Sequence, residues 1–407
     1  MGLMKKEFMA GIAVLLLCVF ALACAGAEVH PENTESNGKI KETVWKDDAG
    51  QLAAGPEGYA VVRYTYKGSE TTEQYYDTEG QPFEVAGGYS GRTVTKDKGN
   101  VTEIVYLDRN GKQTLNSMGY SRVSMTYFGF GDVRSITYFG LNKKPVMVPS
   151  LGYASVNNEY IGKLLKSRTY RDAKGKAVDC MQGYAIVRQN IKKVGGSNQV
   201  LSIRYYHADE SNASGPDGWC RCVKERDEKG RLISVKYYDT REQLTDRGMG
   251  YAWEEYSYDS SNVVKTTRYD LSGAVVTDEA GVATRVQEMK DDRVVREWFL
   301  DKDGNRTNNG LGVGQILYSY DYTGGIEKVT YQDTEGNTVK CSKGYAGYQD
   351  TKDEDGIVTS RVFLGTDGIA MDIPGGGYSE IRYQYDETKT LVSIRYYDVS
   401  GKQVQGQ

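Results

Sequence analysis

Polar and apolar positions alternate with period two along most of this chain, and the alternation restarts after a recurring glycine–tyrosine pair. In Tyr378-Ser379-Glu380-Ile381-Arg382-Tyr383-Gln384-Tyr385, one face carries Ser379, Ile381, Tyr383 and Tyr385. The other carries Tyr378, Glu380, Arg382 and Gln384. The same frame returns as Ser121, Val123, Met125 and Tyr127, and as Ala60, Val62, Tyr64 and Tyr66. Such alternation marks a half-buried β-strand. A polar turn follows, and then a second strand on which Ile394 shares a face with Tyr396, Ile203 with Tyr205 and Val329 with Tyr331. That strand ends in an aromatic-x-Asp-x-x-Gly turn, as in Tyr75 to Gly80 and Tyr331 to Gly336. The Asp side chain caps such a turn and the Gly supplies left-handed backbone. The unit is a β-hairpin plus a short glycine-containing linker, and no window shows a helical period.

The unit is repeated. Glycine precedes Tyr59, Tyr89, Tyr120, Tyr153, Tyr184, Tyr251, Tyr345 and Tyr378, and Gly218-Trp219, Gly281-Val282 and Gly312-Val313 fill the gaps, at steps of 30 to 35 residues. The turn marker occurs twelve times with the same period. A unit this short cannot bury a core alone, so neighbours must stack. The predicted fold is all-β: about twelve tandem hairpin repeats of roughly 32 residues over 41–407, stacked as an elongated twisted sheet or an open β-solenoid. About 24 strands added at about 4.8 Å each span roughly 115 Å, a length solution scattering would measure.

Residues 1–27 read as a signal peptide. Lys5 and Lys6 precede an apolar stretch from Phe8 to Ala23, followed by small residues. That stretch is shorter than the roughly 20 residues of a spanning helix. Ala25-Gly26-Ala27 is a simple cleavage site; Cys24 is the alternative, as a lipidation site. No second apolar segment follows, so the expectation is an exported bacterial protein, extracellular or held at the cell surface by a lipid, with no membrane span after processing. Residues 28–40 are polar and are expected to form a flexible leader, with the first unit around Trp45.

Composition narrows the chemistry. The chain has 51 basic and 55 acidic residues, so no global charge favours nucleic acid. It has two histidines, which excludes a Ser-His-Asp or Cys-His constellation in the repeats; His207 stands where other units have the turn Asp. Asp301-Lys302-Asp303-Gly304-Asn305 and Asp353-Glu354-Asp355-Gly356 contain fragments of a calcium loop, but neither supplies the full ligand register. No metal or other cofactor is expected. Cys220 and Cys222 are too close on one strand face to bridge, and Cys180 with Cys220 is the one pairing in neighbouring units. The 33 tyrosines against 8 phenylalanines suit positions half packed and half wet. By alternation the tyrosines of the Gly-Tyr pairs, with Trp219, fall on the face opposite the aliphatic residues. They are the candidate ligand-contacting residues, as rings that stack on sugars.

Tyr256-Ser257-Tyr258-Asp259, Tyr383-Gln384-Tyr385-Asp386 and the stretch Arg226 to Asp239 resemble the tyrosine–aspartate (YD) repeats of bacterial wall-associated and RHS-type proteins. The chain also resembles variant MORN-type hairpin repeats of surface proteins. The period near 32 is longer than is usual in tyrosine–aspartate repeats, and no RHS core signature is visible. The resemblance implies an extracellular β-repeat scaffold. The expected function is a non-catalytic binding or scaffolding module for a cell-envelope or extracellular glycan, or for a protein partner. Two alternatives stand beside it: a carbohydrate-active enzyme with a carboxylate pair in a groove of the array, and a structural spacer.

Overall fold

The computed structural model describes residues 29–129, 131–259, 262–385 and 391–406. The signal segment and Cys24 lie outside these residues. The described chain contains 26 strands and no helix, and the strand pairs are antiparallel. It divides into two compact units, one reaching to Gln189 with Tyr205–Gly215, the other made of Asn190–Arg204 and Pro216–Gln407.

The first unit opens with the hairpin Val29–Ser36 and Lys39–Asp47. Then come Val61–Lys67 with Glu70–Tyr76, Gly91–Asp97 with Asn100–Leu107, Arg122–Tyr127 with Val133–Phe139, and Ser155–Ile161 with Leu164–Arg171. The second unit contains Arg221–Arg226 with Leu232–Tyr238, Trp253–Tyr258 with Val263–Tyr269, and Thr284–Lys290 with Arg293–Leu300. It continues with Gln315–Tyr320 and Ile326–Gln332, Gly347–Lys352 and Val358–Leu364, and Glu380–Tyr385 and Leu391–Tyr397. The strands Ile186–Val194 and Ser197–Tyr206 carry the boundary between the units. The all-β hairpin array expected from the alternation is what forms.

One expectation is corrected. Of the expected leader 28–40, the described residues 29–40 are not free, because Val29–Ser36 is a strand registered against Lys39–Asp47, Pro31 opposite Trp45. Strand pairing satisfies main-chain groups whatever the side chains, so a polar segment can form the outermost strand of a sheet. Its Pro31 and Glu35 suit an edge that must not recruit further strands.

The residue after each Gly-Tyr pair explains the small side chain seen there. Ala154 N–H donates to the Arg171 carbonyl, while its own carbonyl accepts from Tyr138 N–H. Ser121, Ala185 and Ala252 repeat both bonds, tying the end of one hairpin to the next. Their side chains are fully buried, Ala154 at 0% exposure. Ala154→Leu is therefore expected to overpack this junction and cost about 1–3 kcal/mol, read as a lowered denaturation midpoint.

The Asp-x-x-Gly turns are built as expected. Asp77 Oδ1 accepts from Glu79 N–H at 2.9 Å and from Gln81 N–H at 2.8 Å, and Gly80 closes the turn at φ 78°. Asp108, Asp172, Asp270, Asp301, Asp333 and Asp398 repeat the pair of acceptor bonds. The Ser272 hydroxyl and then the Ala274 amide hold the Asp270 carboxyl below its ordinary value, and the Ser400 hydroxyl does the same for Asp398. The Asn305 amide does so first at Asp301. A depressed carboxylate contributes stability above its unfolded pKa and loses it as pH falls through the folded value. Thermal stability is thus expected to fall as pH drops below about 4, and Asp270→Asn, which keeps the acceptor, to flatten that dependence.

Candidate functional site

The two faces of the hairpins differ. On the first strands Val62, Val123, Met125, Val156, Asn158, Val187 and Gln189 are buried, while the intervening Arg63, Thr65, Thr126, Asn157, Glu159, Arg188 and Asn190 are mostly exposed. The buried face is covered by the chain that follows each Asp turn. Ten residues after each second-strand aromatic this chain crosses back over the ring, placing Val85 and Val148 in the clusters around Tyr75 and Tyr138. Where the crossing residue is Gly55, a Cβ would stand 2.7 Å from the Trp45 ring, and Gly215 meets Tyr205 in the same way.

Between sheet and covering chain runs a column of tyrosine rings. In the first unit it passes through Tyr59, Tyr75, Tyr89, Tyr106, Tyr120, Tyr138, Tyr153, Tyr170, Tyr184 and Tyr205, with centroid separations of 4.7 to 6.1 Å. Tyrosines of the Gly-Tyr pairs alternate with those of the second strands. In the second unit Trp219 packs on Tyr237, and Tyr331, Tyr345, Phe363, Tyr378 and Tyr396 form a second run. Between them Tyr251 lies between the guanidinium groups of Arg247 and Arg268, 5.0 and 4.8 Å from its centroid.

This places the candidate tyrosines in the packing rather than on an opposite open face. Tyr120, Tyr184 and Trp219 are buried, and Tyr59, Tyr89, Tyr153, Tyr251, Tyr345 and Tyr378 are half-buried. Ring faces that would stack on a sugar are already stacked on one another or on arginine. Alternation fails at these residues because they precede the strand. Gly119 lies at φ 87° and the strand begins only at Arg122, so Tyr120 belongs to a bend. Burial pushes the hydroxyls of Tyr106, Tyr138 and Tyr184 well above the ordinary tyrosine range, and that of Tyr318 to about 12. They stay protonated.

Polar pairs sit within the covered face as well. Arg92 and the Tyr75 hydroxyl both donate to Glu73, at 2.7 and 3.0 Å. Arg361 grips the buried Asp350 with two bonds of 2.7 and 2.8 Å. Glu297, 4% exposed, accepts from Arg285 and Gln287. Cys180, Cys220, Cys222 and Cys341 are buried thiols, and Cys180 and Cys220 form no bridge. They fill different places in the repeat: Cys180 crosses over a ring, and Cys220 is the small junction residue. Burial pushes the Cys222 thiol up to about 11. His207 holds the turn position, its Nδ1 2.6 Å from Asp179. Among the described residues no three His, Cys, Asp or Glu side chains converge to hold a metal ion.

The open face carries a recurring arrangement that the alternation did not single out. Arg63 lies over Tyr76 at 4.4 Å, Arg122 over Phe139 at 3.9 Å, Arg221 over Tyr238 at 4.3 Å and Arg382 over Tyr397 at 4.0 Å. Each arginine also meets a carboxylate: Glu42, Glu103, Glu242 and Glu380 respectively. The visible signal is the doubled aromatic at the end of the second strand, Tyr75-Tyr76, Tyr138-Phe139, Tyr237-Tyr238 and Tyr396-Tyr397. The first ring enters the column and the second turns to the open face. The result is a charge-balanced surface of half-exposed planar groups.

No protein-family model matches the chain, and no curated protein sequence matches it. Among solved structures, TcdB2-TccC3 without its hypervariable C-terminal region is 11% identical with a TM-score of 0.30, over 92% of this chain and 22% of that one. The Photorhabdus luminescens Tc holotoxin pore is 12% identical with a TM-score of 0.24, over 88% of this chain and 20% of that one. This chain therefore spans about a fifth of the length of those it matches. At such TM-scores the likeness carries no argument about its role.

Proposed function

We propose that this chain is a non-catalytic binding or scaffolding module, exported and displayed at or beyond the bacterial surface, that engages a cell-envelope or extracellular glycan through its open sheet face. The observation that carries the reading is the asymmetry of the faces. One is closed by its own chain over a ring column, while the other brings an arginine, an aromatic ring and a carboxylate together in several of the hairpins. Planar guanidinium and ring surfaces beside hydrogen-bonding carboxylates suit sugar hydroxyls better than they suit a highly charged polymer. The finer assignment to the tyrosine–aspartate class rests on the column tyrosine and the Asp turn that follows it by two residues. Export rests on the N-terminal signal pattern.

The test is retention of the full chain on an array of immobilised bacterial-wall and extracellular polysaccharides. The wild-type chain should be retained on at least one polysaccharide, and the triple variant Arg63→Ala, Arg122→Ala, Arg382→Ala should be lost from it with its β-sheet circular dichroism intact. No retention of the wild-type chain on any glycan would overturn the reading.

A further inference from the structure

Hairpins in this array pair along most of their length internally but touch the next hairpin over a shorter register. Val61–Lys67 pairs with Glu70–Tyr76 at seven positions, whereas the preceding strand meets it at three. Beyond those three the strands splay, and something must fill each wedge. In several repeats it is a tyrosine late in the first strand, whose hydroxyl donates to a carbonyl of the previous hairpin. Tyr66 reaches Ile40 at 2.8 Å, Tyr127 reaches Val101 at 2.6 Å, Tyr258 reaches Leu232 at 2.8 Å and Tyr320 reaches Val294 at 2.6 Å. Each donor follows its acceptor by 26 residues. The pairing is longer in some places, as between Glu70–Tyr76 and Gly91–Asp97, which pair at five positions, and in two further three-position junctions the plugging place holds Ile191 or Lys352.

In the repeat that begins at Gly218-Trp219 neither device operates. Ser202–Arg204 and Arg221–Val223 pair at three positions. The residue in the plugging place, 26 after Val200, is Arg226, not tyrosine. Its Nη1 turns away to the Gly230 carbonyl at 2.9 Å. The wedge stays open as a hollow lined by Leu201, Ser202, Arg221, Lys224 and Arg226 among others. Its polar lining is short of acceptors. The Nε atoms of Arg221 and Arg226 are buried without a hydrogen-bond partner, and neither Lys224 nor Arg226 forms an ion pair among the described residues. The acid at the rim, Glu225, is engaged by the Ser234 hydroxyl at 2.7 Å and by Lys236 at 3.4 Å.

We propose that this hollow is a binding site for a hydroxylated ring bearing a carboxylate, as found in a uronic acid unit of an acidic glycan. The ring takes the place that Tyr66, Tyr127, Tyr258 and Tyr320 occupy in their wedges, a ring hydroxyl serves the carbonyl at the Val200 position, and Lys224 with the two unpaired Nε–H groups receives the carboxylate. Charge-assisted bonds of this kind are the strong ones in a partly desolvated site. The proposal deepens the glycan reading by adding one specific acidic subsite to a broad neutral face, and it rests on that reading.

The experiment is titration calorimetry of the full chain with hexagalacturonate, and with a neutral hexasaccharide and 4-hydroxyphenylacetate as separate arms. Wild type is expected to bind hexagalacturonate with an affinity that falls as salt rises. Arg226→Tyr, which installs the plug found in sister repeats, should keep or raise thermal stability and weaken binding by about tenfold or more. Lys224→Gln should weaken it as well. Binding of 4-hydroxyphenylacetate alone would reject the glycan as the source of the ring. Unchanged affinity in Arg226→Tyr, or equal binding of the neutral sugar, would overturn the site. If both proteins are still retained equally on the polysaccharide array, the open-face reading survives while the subsite falls.

Discussion

Replacing Tyr120 with alanine is expected to destabilise the first unit by about 3–5 kcal/mol, the range for deleting a large buried aromatic. Tyr120 is 1% exposed and lies between Tyr106 and Tyr138, with centroids at 5.6 and 4.8 Å. The substitution removes two ring contacts and leaves a cavity between rigid strands, which cannot close because each flanking ring is held by the next. Tyr120→Phe keeps the contacts and should cost only about 0.5–1.5 kcal/mol, the worth of a hydrogen bond. Tyr322, 94% exposed at a turn, is the control, and Tyr322→Ala should lie within about 0.5 kcal/mol of wild type. Chemical denaturation followed by tyrosine fluorescence and far-ultraviolet circular dichroism separates the three. A Tyr120→Ala cost below that of Tyr120→Phe would show that the column does not bear on stability.

Arg361→Ala is expected to cost about 3–5 kcal/mol in the second unit, because it strands a buried carboxylate. The Asp350 side chain is 5% exposed and accepts both of its bonds from Arg361, whose guanidinium also covers the Tyr348 ring at 3.9 Å. Removing Asp350 together with Arg361 should recover part of the loss, since the penalty comes from the uncompensated charge more than from the lost attraction. Equal destabilisation by the single and double variants would count against that account.

Much of the fold was legible because it is local. Period-two alternation located the hairpins, and the Asp-x-x-Gly marker located the turns, since both depend on residues within one unit. The exceptions have separate causes. Alternation puts Tyr59, Tyr120 and Tyr184 on the wrong face because each follows a left-handed glycine, where the backbone no longer follows a pleat. Val29–Ser36 carries no apolar pattern because it buries little, and apolar patterning reports burial rather than pairing. The arginine–aromatic pairs of the open face were written in the doubled aromatics, yet their meaning depends on register. Only cross-strand pairing puts Arg122 opposite Phe139.

The short registers between hairpins have a consequence for how the chain acquires its structure. Nearly every contact joins residues within one hairpin or between adjacent ones, so little loop-closure entropy separates the unfolded chain from a first native pair. Folding can start at any hairpin and spread outward, each new hairpin docking on an edge already in place, with a speed set by local propensity rather than by distant encounters. By the same logic, loss of one repeat weakens its two neighbours and leaves those farther along largely untouched. Whole repeats can therefore be gained or dropped without redesigning the remainder.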